Sequence, residues 1–134
     1  MRQQNERGAA AVEFALLLPV LLTILYGIIE FGMIMYGREV VTNASREGAR
    51  AGIIQVSPKP TSGQITTIAT NYLTGTGINP SQVTITVAGA GGASPTMLTV
   101  TATYNYPWLV PYIPTVLGLP SPLPITMSTT MRNE

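Results

Sequence analysis

Hydrophobic and polar positions divide this chain into one long apolar block and a remainder in which apolar residues return at regular periods. From Ala9 to Tyr36 the residues are apolar except for Glu13, Thr23 and Glu30. About 20 predominantly apolar residues suffice to cross the core of a bilayer, so this block predicts a membrane-crossing helix. A signal peptide would have an apolar core of only about 7–15 residues with small residues behind it. Here the small residues Gly8 and Ala9 to Ala11 stand in front of the block and the apolar run continues well past that length. That order predicts a polar leader, residues 1–8, cut on the N-terminal side of an apolar segment that is retained.

Beyond Tyr36 the period changes. In residues 37–57, Val40, Val41, Ala44, Gly48 and Ala51 or Gly52 share one broad face at helical spacing, which predicts an amphipathic continuation of the helix. Glu47 and Arg50 fall three apart, the spacing of a helical side-chain pair. Gly37, Gly48 and Gly52 each cost about 1 kcal/mol relative to Ala in a helix; they mark either fraying or close approach by a neighbouring helix. Pro58 and Pro60 are expected to end the element. A helix from Ala9 to about Val56 would be roughly 70 Å long, with its first half in lipid.

Residues 61–134 read as a small separate domain. Thr61 and Gln64 have capping-box spacing, and Ile65, Ile68, Ala69, Tyr72 and Leu73 fit an amphipathic helix that Gly75 stops. Alternation then takes over. Val83, Ile85 and Val87 share one face of a first strand, Leu98 through Tyr106 a second, and Ile125, Met127, Thr129 and Met131 a third. The Gly-rich GAGGASP predicts a hairpin loop between the first two. The fold class is therefore α+β: a long N-terminal helix, transmembrane in its first half, and a small domain of one short helix and a three-stranded antiparallel sheet. Between the second and third strands, PWLVPYIPTVLGLPSPLP is rich in both proline and apolar residues. It is expected to be either a lid on the sheet or a contact surface for a partner subunit or membrane, with Trp108 and Tyr112 as candidate interface residues.

Composition removes whole classes of function. The chain has 134 residues, no Cys and no His, and its acidic residues are all Glu. The usual ligands of zinc, haem and iron–sulfur groups are missing, so no metal or cofactor is expected. Ser-His-Asp and Cys-His sets are unavailable, and the chain is not expected to be an enzyme. A formal net charge of +1 gives no field for nucleic acid. Basic residues flank the apolar block on both sides: Arg2 and Arg7 before it, Arg38, Arg46 and Arg50 after it. They leave topology open by themselves, although the β-rich remainder is easier to place outside if the leader is the cytoplasmic end.

Glu13 is the anomaly of the apolar block. An ionised carboxylate near hydrocarbon costs several kcal/mol, roughly, unless it is paired. Cleavage between Gly8 and Ala9 would create an α-amine at Ala9, largely protonated at neutral pH. Glu13 would lie about one helical turn from it within the chain, or meet it between two staggered chains and set their register. Snorkelling into the headgroup region is the plainer alternative.

GAAAVEF, Gly8 to Phe14, resembles the type IV prepilin processing site. More closely, RGAAAVEFALLLPVLLTILYGIIEFG followed by VVTNASREGARAG is similar to the TadE-like family, minor pilins (pseudopilins) of the Tad or Flp pilus system. Glu13-Phe14, Pro19, Glu30-Phe31-Gly32 and the segment Ala44 to Arg50 carry the match. The resemblance implies processing at Gly8 and Ala9 by a prepilin peptidase, and assembly and register set by Glu13 and Phe14. It implies residence in the bacterial inner membrane, N-terminus cytoplasmic and C-terminal domain outside, and then transfer to a pilus or pilus-priming complex. The implied partners are other pilin subunits, the prepilin peptidase, inner membrane lipid and the assembly machinery, with no nucleic acid. Pro19 and Glu30 are candidates for helix packing or bending, and Arg46, Glu47 and Arg50 for an interface. An uncleaved single-pass membrane protein whose small β-domain binds a partner is the alternative.

Overall fold

The computed structural model describes the backbone of residues 2–133 and the side chains of residues 8–133. Met1 and the side chains of most of the expected leader lie outside the described residues. A first helix, α1, runs Arg2–Gly52, and the chain divides into two compact units, Met1–Met33 and Ile34–Glu134.

The first unit is helix alone. Between Gly8 and Met33 every described side chain is exposed except Glu30. Leu16, Leu17, Val20, Ile24 and Ile28 are each more than half exposed. The helix passes through Pro19. Proline has no N–H to give the Ala15 carbonyl. The Thr23 hydroxyl donates to the Pro19 carbonyl at 2.8 Å, a side-chain bond that occupies helix backbone locally.

The second unit holds the last part of α1, helix α2 (Ser62–Tyr72), strand β1 (Val83–Ala88), strand β2 (Met97–Tyr106), a short helix α3 (Tyr112–Leu117) and strand β3 (Leu123–Arg132). The sheet is antiparallel in the order β1-β2-β3, with Ile85 opposite Ala102 and Tyr104 opposite Ile125. Alternation is realised in β2, where Leu98, Val100, Ala102, Tyr104 and Tyr106 are all buried. Val40, Val41 and Ala44 of α1 join Leu73, Ile78, Ala102, Tyr104, Tyr106 and Ile125 in one core cluster. Ala49, Ile65, Leu98 and Val100 form a second. The opposite face of the sheet is a ladder of hydroxyl pairs, Thr99–Thr130, Thr101–Ser128 and Thr103–Thr126 at 2.9–3.0 Å, which satisfies polar side chains across strands.

Three differences from the sequence reading have physical reasons. The α1 glycines Gly37, Gly48 and Gly52 mark close approach rather than fraying, by the neighbouring helix α2 at Gly48 and Gly52 and, beyond that expectation, by the sheet. A Cβ at Gly37 would lie 2.9 Å from the Tyr104 ring, and one at Gly48 would lie 3.1 Å from Ala69 Cβ. At Gly52 it would collide with Leu98 and Ile65. The stripe is where the chain's own sheet and α2 approach the backbone. The helix stops at Gly52, well before Pro58, so the prolines lie in the connection rather than at the helix end. The apolar Pro-rich segment also contains a helix, α3, closed by Gly118 in the left-handed conformation at φ 65°.

Two other expectations hold in detail. Thr61 and Gln64 form the reciprocal capping box of α2. Arg50 Nη2 donates to Glu47 Oε1 at 2.9 Å, and this pairing raises the Arg50 pKa. Around the hairpin loop, Lys59 Nζ donates to the Gly92 carbonyl at 3.0 Å. Asn133 Nδ2 donates to Thr96 Oγ1 at 2.8 Å, so the chain's end and the α1–α2 connection both hold that loop.

Candidate processing and assembly site

The residues expected to carry processing and register sit on successive turns of α1. Gly8, Ala9, Glu13 and Phe14 are all exposed. Ala9 and Glu13 are four residues apart, so on a helix they share one face. Among the described residues Glu13 has no hydrogen-bond or ion-pair partner. A Cβ at Gly8 would meet nothing within 4 Å, so packing places no demand for glycine there. Phe14 is 62% exposed and continues the apolar surface of the first unit.

Pro19 faces outward on the same surface. Glu30, a candidate for helix packing, does not follow the pattern: it is 3% exposed.

In the second unit, Arg46 and Arg50 are exposed and Glu47 is half-buried. With Asn43, Tyr72, Thr129 and Met131 they line a shallow recess of about 480 Å³. The base of that face is organised by Ser45, whose hydroxyl bonds Thr129 at 2.7 Å. Trp108 and Tyr112 belong to a different surface. Trp108 is half-buried against the core, its indole N–H donating to the Pro120 carbonyl at 2.9 Å. Tyr112 is 59% exposed. The five candidate interface residues therefore form two patches. A further recess of about 640 Å³, lined by Val56, Pro58, Pro60 and one side of α2, had no sequence signal, because it is formed by the irregular connection. Among the described residues no group of three or more acidic side chains could hold a metal ion.

α1 is a helix long and apolar enough to cross a membrane, and its apolar part opens on a Gly-Ala pair followed by an exposed Glu. Residues 8–50 match the TadE-like protein family. The TadE-like match begins at Gly8 and ends at Arg50, both within α1. It spans both units and stops before α2, so it leaves the sheet without a counterpart. No curated protein and no solved structure matches the chain. The TadE-like segment and its exposed apolar helix together fit an anchored membrane protein related to the Tad pilus.

The structure divides the TadE-like segment by role. In residues 34–50, Val40, Val41, Ala44, Ser45, Gly48 and Ala49 are buried in the chain's own domain. Their small size serves internal packing, and Arg38, Glu39, Arg46 and Arg50 are among the residues that face outward. In residues 8–33 the apolar side chains have no internal role among the described contacts.

Proposed function

We propose that this chain is a minor pilin, or pseudopilin, subunit of a Tad-type pilus. It is cut between Gly8 and Ala9 by a prepilin peptidase and assembles through the exposed apolar helix of residues 9–33. It resides first in the bacterial inner membrane with its leader in the cytoplasm and the α+β domain outside. It acts by assembly rather than by catalysis.

One observation carries the reading. The TadE-like match opens on Gly8, and Glu13 stands exposed one helical turn from Ala9. Cleavage at that bond would release an amine that is positively charged at neutral pH. An amine and a carboxylate taken together into an apolar bundle cost far less than either taken alone. Pairing between staggered chains would fix their axial register, with the neighbouring apolar faces supplying the packing. The outward Arg46–Glu47–Arg50 face offers a second, polar contact between subunits.

The test is the intact mass and N-terminal sequence of the protein isolated from its native membrane, alongside a Gly8→Phe variant. A native chain beginning at Ala9 and a variant retaining its leader support the processed subunit. A native chain beginning at Met1 overturns it in favour of an uncleaved single-pass protein whose β-domain binds a partner.

A further inference from the structure

The Pro-rich segment between β2 and β3 closes one particular end of the second unit. Along β2, Leu98 lies against Gly52, Val100 against Gly48 and Tyr104 against Gly37, so β2 runs opposite to α1. Tyr106 packs edge-on to Tyr104, and Trp108 edge-on to Tyr106, each at 6.0 Å between ring centres. Ile34 packs against the same cluster. Two residues past Tyr106 advance about 6–7 Å further along the strand direction. The segment from Trp108 onward therefore caps the Ile34 end of the unit, the end through which the chain enters from its apolar segment.

That end has a definite depth if the apolar segment spans a bilayer. As a helix, residues 9–36 extend about 42 Å, close to the roughly 40–45 Å of a bilayer with its headgroups. Ile34 then lies at headgroup level. At the same end, Leu109, Tyr112, Val116, Leu117 and Leu119 are exposed, from 41% for Leu119 to 75% for Val116. No charged residue occurs between Lys59 and Arg132, so nothing in the segment opposes partial burial in lipid. The platform is built: Trp108 is packed and bonded to the Pro120 carbonyl, and Pro114 is buried.

We infer that the α3 segment is a membrane-interface foot, seating Leu109, Tyr112, Val116 and Leu117 in the headgroup–acyl boundary. Apolar side chains rimmed by Tyr and Trp suit that boundary. An exposed apolar patch of this kind in water otherwise has no compensation. The inference rests on the membrane-spanning reading of α1, and it deepens that reading by assigning the domain a fixed seat on the bilayer before assembly.

The absence of cysteine from the sequence makes single-site labelling direct. Full-length chains carrying Leu117→Cys, Thr86→Cys or Leu21→Cys would each receive an environment-sensitive fluorophore. They would be reconstituted in phosphatidylcholine–phosphatidylglycerol vesicles with nitroxide lipids labelled at a shallow or a deep position. The expected result is a blue-shifted emission at position 117 that the shallow nitroxide quenches, with position 86 unquenched. Trp108, the single tryptophan, should show the same shallow quenching, and a Val116→Glu/Leu117→Glu chain with an unchanged far-UV circular dichroism spectrum should lose it. Equal, weak quenching at positions 117 and 86, with Leu21→Cys quenched by the deep nitroxide, overturns the foot and leaves the span intact. Protection of position 117 that appears only when a second pilin subunit is added also overturns it, in favour of a subunit contact. No deep quenching at position 21 overturns the span and the foot together.

Discussion

The two units draw on the same apolar vocabulary and use it in opposite ways. In Met1–Met33, Val, Leu and Ile side chains are displayed all round a helix, and Gly27 and Gly32 face open space. In Ile34–Glu134, the larger apolar residues are divided by face, and Gly37, Gly48 and Gly52 are where neighbours come closest to α1. A helix apolar on every side has no inner face of its own, so its burial must come from lipid or from other chains. A helix with one small-residue stripe specifies one closely packed side, here covered by β2 and α2. The difference separates what the chain can complete alone from what it presents to its surroundings.

Substitutions can break or sharpen that contrast. The largest effect is expected from Leu98→Ala, which empties a fully buried site and should cost about 2–5 kcal/mol. Denaturant unfolding followed by near-UV circular dichroism should show it, whereas Leu17→Ala in the first unit should leave that transition in place. Conversely, Val20→Lys puts a charge at the middle of the apolar segment, at about 2.5–3.5 kcal/mol on insertion scales. Flotation with vesicles should fall while the transition of the second unit stays put; loss of both would mean the units are not separable.

The glycines give a finer test. Gly48→Val should lower the unfolding free energy of the second unit by about 1–3 kcal/mol through overpacking against Ala69 and Val100. Gly27→Ala has open space around it and should not lower it at all. At the small end, Thr61→Ala removes the reciprocal cap of α2 and should cost about 1 kcal/mol in a thermal melt.

A pH titration addresses the inner face directly. Burial raises the pKa of Tyr104 from its ordinary value of 10.0. The unfolded phenol therefore loses its proton first as pH rises. Stability from this group is complete below about pH 10 and is lost through the folded value above it. Tyr104→Phe should flatten that alkaline decline; an unchanged slope would mean that Tyr104 is not what senses pH there.

Much of this molecule was legible because its periods are clean. The apolar block from Ala9, the alternation of Leu98 to Tyr106 and the Thr61–Gln64 cap each state a local rule, and each reappears as an element. Gly8, Ala9, Glu13 and Phe14 could be placed on one exposed run because a helix fixes relative positions at short range. The glycines were read only in part, since a missing side chain says that something comes near and not what.

Sequence alone thus determined the long helix, α2 and the three strands, the inward face of each strand, and the family matched by residues 8–50. The tertiary structure decided the rest. It chose β2 and α2 as the neighbours of Gly37, Gly48 and Gly52, separated Arg46 and Arg50 from Trp108 and Tyr112, and placed α3 at the Ile34 end of its unit. The physical reason is range. Periodicity and capping act within a turn or a strand pair, whereas packing joins residues such as Ser45 and Thr129, or Tyr36 and Thr76, that only the closed chain brings together.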